Sequence, residues 1–67
     1  MNTYTIHDEL IDATLCEPFA TVSNKRLALQ IAKRCAVPSI INDRAAVVVF
    51  CGDHAIAVLP VAKAEGR

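Results

Sequence analysis

The stretch Arg44-Ala-Ala-Val-Val-Val-Phe-Cys-Gly-Asp-His-Ala-Ile-Ala-Val-Leu-Pro-Val61 decides the fold of this chain. Two apolar runs rich in β-branched residues are joined at Gly52-Asp53, which reads as a β-hairpin with a two-residue turn. Side chains alternate across a strand, so a hairpin with one wet face should alternate apolar and polar residues. Here both faces are apolar. With a regular ladder, Val47, Val49, Ile56 and Val58 share one face, and Ala46, Val48, Phe50, Ala57 and Leu59 share the other. The chain has 67 residues and little else to cover two such faces. A domain of this size buries only about 60% of its unfolded surface, so it commonly leans on a metal, disulfides or oligomerisation. The hairpin therefore predicts a second copy or a partner on one face, with Val47, Val49, Ile56 and Val58 as the expected homodimer interface.

Upstream of the hairpin lies an amphipathic helix. Ser23 or Asn24 is a suitable N-cap, because either side chain accepts a bond from the unpaired first-turn amides. From there the pattern predicts a helix to about Ala36, with Leu27, Ala28, Ile31, Ala32 and Cys35 as one apolar stripe. Arg26, Gln30, Lys33 and Arg34 form a basic ridge opposite, joined by Lys25. Val37-Pro38 stops the helix, since proline disfavours the α conformation in the residue before it. Ser39–Arg44 reads as a loop or a second short helix.

The N-terminal third is less decided. Thr3-Tyr-Thr-Ile-His7 alternates and favours a strand, with Tyr4 and Ile6 on one face. Asp8 to Asp12 fits either a turn, with Ala13–Thr21 as a returning strand, or the opening of a short helix over His7–Cys16. Pro18 ends such a helix or sits at a strand edge. With the returning strand, the chain is an α+β protein of order β-β-α-β-β: a four-stranded antiparallel sheet with one helix packed on one face. It forms a single domain over residues 1–67, with 62–67 as a frayed tail.

Composition narrows the function class. Of the residues 54% are hydrophobic and only 4% aromatic, so the core is built from Val, Ile, Leu and Ala around Tyr4, Phe19 and Phe50. Three widely spaced cysteines, Cys16, Cys35 and Cys51, read as reduced thiols of a cytoplasmic protein rather than a disulfide framework. The N-terminus has no basic and apolar leader pattern, and no apolar run is long enough to span a bilayer. No membrane association is expected.

The formal net charge is zero, but the charges are segregated. Residues 1–24 carry Asp8, Glu9, Asp12 and Glu17 with no Lys or Arg, whereas residues 25–44 carry Lys25, Arg26, Lys33, Arg34 and Arg44 against Asp43 alone. These poles either pair internally or face a partner. The acidic residues Asp8, Glu9, Asp12 and Glu17 and the basic residues Arg26, Lys33 and Arg34 are the candidate partner-binding residues.

Catalytic and metal signals are sparse. Cys51-Gly-Asp-His54 is the one tight group of ligand types, but a structural zinc site needs four ligands, and His7, Cys16 and Cys35 show no paired spacing. Cys51 and His54 across a turn lack the pocket and orienting third group of a thiol nucleophile. The chain has two glycines in all, Gly52 and Gly66, and so no glycine-rich phosphate loop. No catalytic residue, metal or cofactor is expected, and binding is favoured over catalysis.

Two resemblances sharpen this reading. The segment Phe19-Ala-Thr-Val-Ser-Asn-Lys-Arg-Leu-Ala-Leu-Gln-Ile-Ala-Lys-Arg34, followed by the hairpin with its Gly52-Asp53 turn, resembles the layout of small phage-encoded type I anti-CRISPR proteins. The opening Met1-Asn-Thr-Tyr4 is similar to one of them. The resemblance implies a non-enzymatic inhibitor that docks on a host defence complex, a CRISPR surveillance complex or its nuclease, in the host cytoplasm. Many such proteins are acidic and this chain is neutral, which speaks against simple DNA mimicry; no binding residues carry over.

The alternative resemblance is to Cro-type repressors. Leu27–Val37 would be the first helix and turn, and Ser39-Ile-Ile-Asn-Asp-Arg44 the recognition helix. Ser39, Asn42 and Arg44 would read base edges, Lys33 and Arg34 would meet phosphates, and the hairpin would dimerise. Only this alternative implies nucleic acid as a partner. Helical residues 8–16 and 38–45 would favour it; strand and loop there favour β-β-α-β-β.

Overall fold

The computed structural model describes residues 2–37 and 43–61. They form strands β1 (Tyr4–Leu10) and β2 (Ala20–Val22), helix α1 (Lys25–Cys35), and strands β3 (Arg44–Cys51) and β4 (His54–Pro60). The four strands make one antiparallel sheet in the order β2-β1-β3-β4, and α1 packs on one face. This is the expected β-β-α-β-β fold. Most of the expected Ser39–Arg44 loop and the 62–67 tail lie outside the described residues.

Residues 8–16 are strand and turn, not helix. At the end of β1 the Ala13 N–H donates to the Leu10 carbonyl at 2.9 Å, and the Leu10 N–H to the Thr14 carbonyl at 2.8 Å. A tight turn is thus followed by one residue in the left-handed region, Ala13 at φ 72°. Asp12 Oδ1 accepts from the Thr14 N–H at 3.0 Å and stiffens the turn. The returning strand is shorter than its apolar pattern. Leu15 pairs with Glu9, but regular pairing resumes only at Ala20. Pro18 lies in the gap, where a residue without an N–H breaks no ladder bond.

Asn24 is the N-cap of α1: its backbone is extended, and its Oδ1 accepts from the Leu27 N–H at 3.0 Å. Ala28 and Ala32 are the buried helical residues, and Leu29, Ile31 and Cys35 pack beside them. Leu27, expected in the stripe, is 44% exposed. The two alanines let the helix lie close on Ile6, Val47 and Val49, which are completely buried. The helix ends at Cys35 without a glycine. Ala36 adopts φ −81°, ψ 58°, and the Val37 N–H donates to the Cys35 carbonyl at 2.8 Å, an inverse γ-turn.

Two bulges set which side chains face the helix. Gly52 (φ 64°) and Asp53 form the two-residue turn, and Cys51 pairs with His54 and Phe50 with Ala55. The register then slips, so that Val49 pairs with Ala57, Val48 with Val58 and Val47 with Leu59. Ile56 is the extra residue. A one-residue slip exchanges the faces of everything beyond it. Val47 and Val49 therefore share the helix side with Ala57 and Leu59, not with Ile56 and Val58. The second bulge is between β1 and β3: Glu9 pairs with Ala46 but Leu10 with Arg44, leaving Ala45 unpaired. It turns Arg44 to the helix side.

The face away from α1 is less apolar than the hairpin implies. Val48, Phe50 and Val58 lie there, but β1 adds Thr5, His7 and Glu9. His7 meets the Phe50 ring edge-on at 4.9 Å. The Cys16 carbonyl, 2.9 Å from Nδ1 of His7, can only accept, so Nδ1 carries a proton; Nε2 bonds Thr5 Oγ1 at 2.9 Å. His7 thereby ties the segment after the β1 turn to the sheet.

Candidate functional site

Among the described residues, a groove of about 700 Å³, open to solvent, lies between α1 and β4. Its helical wall is Lys25, Arg26, Leu29, Gln30 and Lys33, and its strand wall is Ala57, Val58 and Leu59. The groove follows from the Ile56 bulge. The slip places Ala57, not a larger residue, beside Leu59 under the flank of the helix, and the small side chain leaves the space unfilled. Leu29 and Leu59 make the floor apolar, with three cations around it.

Among the described residues, the sheet order leaves β4 as an edge strand. β4 runs His54-Ala-Ile-Ala-Val-Leu-Pro60 without a Lys, Arg, Asp or Glu, and Val58 is 57% exposed. Exposed apolar edges of this kind pair with other chains unless guarded. Its guards are the bulge at Ile56 and Pro60. Among the described residues, no carboxylate lies within ion-pair distance of Lys25, Arg26 or Lys33.

The expected site residues separate into three groups. Arg26 and Lys33 line the groove, while Arg34 is exposed on α1 but does not line it. Glu9 is half-buried, and Asp12 and Glu17 are exposed, all on or beyond the β1–β2 side, which is the other end of the sheet from β4. Asp12 and its turn partner Thr14 form a local unit, in which bonds from the Thr14 side chain and then its N–H hold the Asp12 carboxyl below its ordinary pKa.

Asp8 is not a surface residue. It lies on the helix side of β1 and pairs with Arg44: Nε to Oδ1 is 2.7 Å and Nη2 to Oδ2 is 3.2 Å. Nε and Oδ1 make no hydrogen bond among the described residues and meet only through this close charge contact. Arg44 Nη1 also donates to the Cys35 carbonyl. One guanidinium thus links β1, β3 and the last turn of α1, where the helix dipole favours a cation. Arg44 is engaged in this interior pair and not free to read a base, as the Cro-type arrangement required.

The expected dimer face is not a surface. Val47 and Val49 are completely buried beneath α1, while Ile56 (39% exposed) and Val58 belong to the exposed strand β4. Sequence reasoning missed Leu29, Ala57 and Leu59 as site residues. For Leu29 a signal was present: a large apolar residue four positions from both Lys25 and Lys33, on the flank of the charged ridge.

No family model, characterised protein or solved structure matches this chain. The functional reading therefore rests on chemistry and shape. His54 Nε2 lies 3.5 Å from Asp53 Oδ1 at the exposed tip of the hairpin, a pair that contributes little. Among the described residues no three His, Cys, Asp or Glu side chains gather as a metal site, and no helix is long and apolar enough to cross a membrane.

Proposed function

We propose that this chain is a non-enzymatic protein-binding inhibitor of the anti-CRISPR type, and that it engages its target through the groove between α1 and β4. The observation that carries the reading is the groove itself. An apolar floor, a cationic wall and an unpaired strand edge meet in one concavity, and such a combination suits a protein chain. The layout of capped helix and hairpin supports the inhibitor class. The turn at residues 10–14 and the interior position of Arg44 favour this reading over a repressor.

The test is phage plaquing on bacteria that carry an active type I CRISPR system and express the chain. Restored plaquing, lost in the Lys25→Glu/Lys33→Glu variant at equal soluble expression, is the expected result. Unchanged plaquing against soluble, folded protein would overturn the inhibitor assignment.

A further inference from the structure

We infer that the groove takes a short extended acidic segment of the partner protein, with the pattern acidic-x-apolar-x-acidic, laid along the free edge of β4. The inference rests on the protein-binding reading above and specifies the chemistry of the bound segment.

The helical wall sets the spacing. Lys25, Leu29 and Lys33 stand at four-residue intervals on α1 and all line the groove. Four helical residues advance about 6 Å. Alternate residues of an extended chain, which share one face, advance about 6.6–6.8 Å. A carboxylate, an apolar side chain and a second carboxylate at every second position therefore meet Lys25, Leu29 and Lys33 in turn. The accumulated mismatch is about 1.2–1.6 Å, well within the reach of a lysine stem.

The strand wall sets the backbone contact. The Val61 N–H donates to the Ala45 carbonyl at 3.0 Å, which fixes the phase of the β3–β4 ladder. In an antiparallel ladder alternate residues bond the same neighbour. Leu59 and Ala57 thus bond β3, and the N–H and C=O of Val58 point to the open edge. Beyond Val58, Pro60 offers only a carbonyl, and on the other side the Ile56 bulge ends the regular ladder. A bound strand exchanges one pair of bonds at Val58 and cannot extend far. Charge and the Leu29 contact must supply the selectivity.

The same features disfavour a second copy. Antiparallel pairing of two β4 edges about a two-fold axis sets both α1 helices on the same side of the joined sheet. Lys25, Arg26 and Lys33 would then face their own duplicates. Like charges at that range oppose association.

The test uses the intact, isotope-labelled chain and a capped peptide, Thr-Asp-Thr-Leu-Thr-Asp-Thr, in low salt. Saturable shifts of the Val58 amide and the 25–33 amides are expected. Replacing both peptide Asp residues by Asn should weaken binding roughly tenfold, the effect of two solvent-exposed ion pairs. The Lys25→Glu/Lys33→Glu protein should show the same loss, and the Arg34→Glu protein should not. Equal binding of the Asn peptide, no shifts at millimolar peptide, stronger shifts of the same amides by a DNA duplex, or a β4-mediated dimer by light scattering would each overturn the inference. The plaque assay separates the two readings. Peptide binding without restored plaquing keeps the groove chemistry and removes the inhibitor assignment; restored plaquing without peptide binding does the reverse.

Discussion

Replacing Asp8 by Ala should remove a large share of the stability of this protein. Asp8 and Arg44 form an ion pair with one hydrogen bond, and their side chains keep only 12% and 18% of their exposure. Breaking a buried pair by deleting one partner costs about 3–5 kcal/mol, because the remaining charge stays desolvated. The residual exposure here lowers that to about 2–4 kcal/mol, since water can reach part of the guanidinium. At roughly 0.05–0.15 kcal/mol per residue, a chain of this length has about 3–10 kcal/mol in total. The expected fall in Tm is on the order of 10–25 °C, at roughly 4–8 °C per kcal/mol for a small domain. Urea unfolding followed by circular dichroism reads the change as a lower midpoint with an unchanged slope. The decisive comparison is Asp8→Leu/Arg44→Met. With both charges gone, no ion is left unpaired, and the double variant should be more stable than Asp8→Ala. The Cys35 carbonyl loses its Arg44 donor, so some loss remains. A single variant within about 0.5 kcal/mol of the parent, the range of ordinary surface substitutions, would refute the reasoning. So would a double variant whose loss equals the sum of the two single losses.

Three further outcomes follow from particular residues. Ala13→Gly should stabilise the protein by about 0.5–1 kcal/mol, because glycine adopts the φ of 72° without strain while adding some entropy to the unfolded chain; an unchanged or lower denaturation midpoint contradicts this. Val49→Asp should yield unfolded chain by circular dichroism, whereas Val58→Asp should fold, since Val49 is completely buried under α1 and Val58 is 57% exposed; a folded Val49→Asp would place the helix on the other face. The Asp12 carboxyl is held below its ordinary value of 3.8, so its contribution to stability is fully present above that value and disappears as pH falls through the lower folded value. The stability gap between the parent and Asp12→Ala should therefore narrow in strong acid, and a gap that widens there contradicts the Thr14 bonds.

Much of the fold was legible because its signals are local. A cap at Ser23 or Asn24 was recognisable, as were Gly52-Asp53 as a hairpin turn and the alternation of Tyr4 and Ile6 as a strand, since each depends on backbone preference or short-range periodicity. The 8–16 segment was ambiguous because Asp8–Asp12 suits both a helix start and a turn. Ala13 carries no sequence mark of a left-handed position, for which glycine is the usual sign. Leu27 looked like a core residue on an ideal wheel, but the helix rolled so that Ala28 and Ala32 meet the sheet, drawing Leu29 toward β4 and leaving Leu27 outside.

The sequence by itself determined the first strand, the capped basic helix, the apolar hairpin and the segregation of charge. Only the tertiary structure decided which residues share a face. A two-residue turn with a regular ladder pairs Val49 with Ile56 and Val47 with Val58, but the bulge at Ile56 replaces those partners by Ala57 and Leu59. Because side chains alternate with a period of two, that single extra residue splits the expected patch, leaving Val47 and Val49 in the core and Val58 on the far face, and opens the groove beside α1. The bulge at Ala45 acts in the same way on Arg44, turning a cation that the Cro-type alternative aimed at base edges inward to Asp8 and the end of the helix. A bulge depends on contacts between segments far apart in the chain, namely how α1 and β1 settle on β3 and β4, and therefore leaves no mark in local sequence pattern.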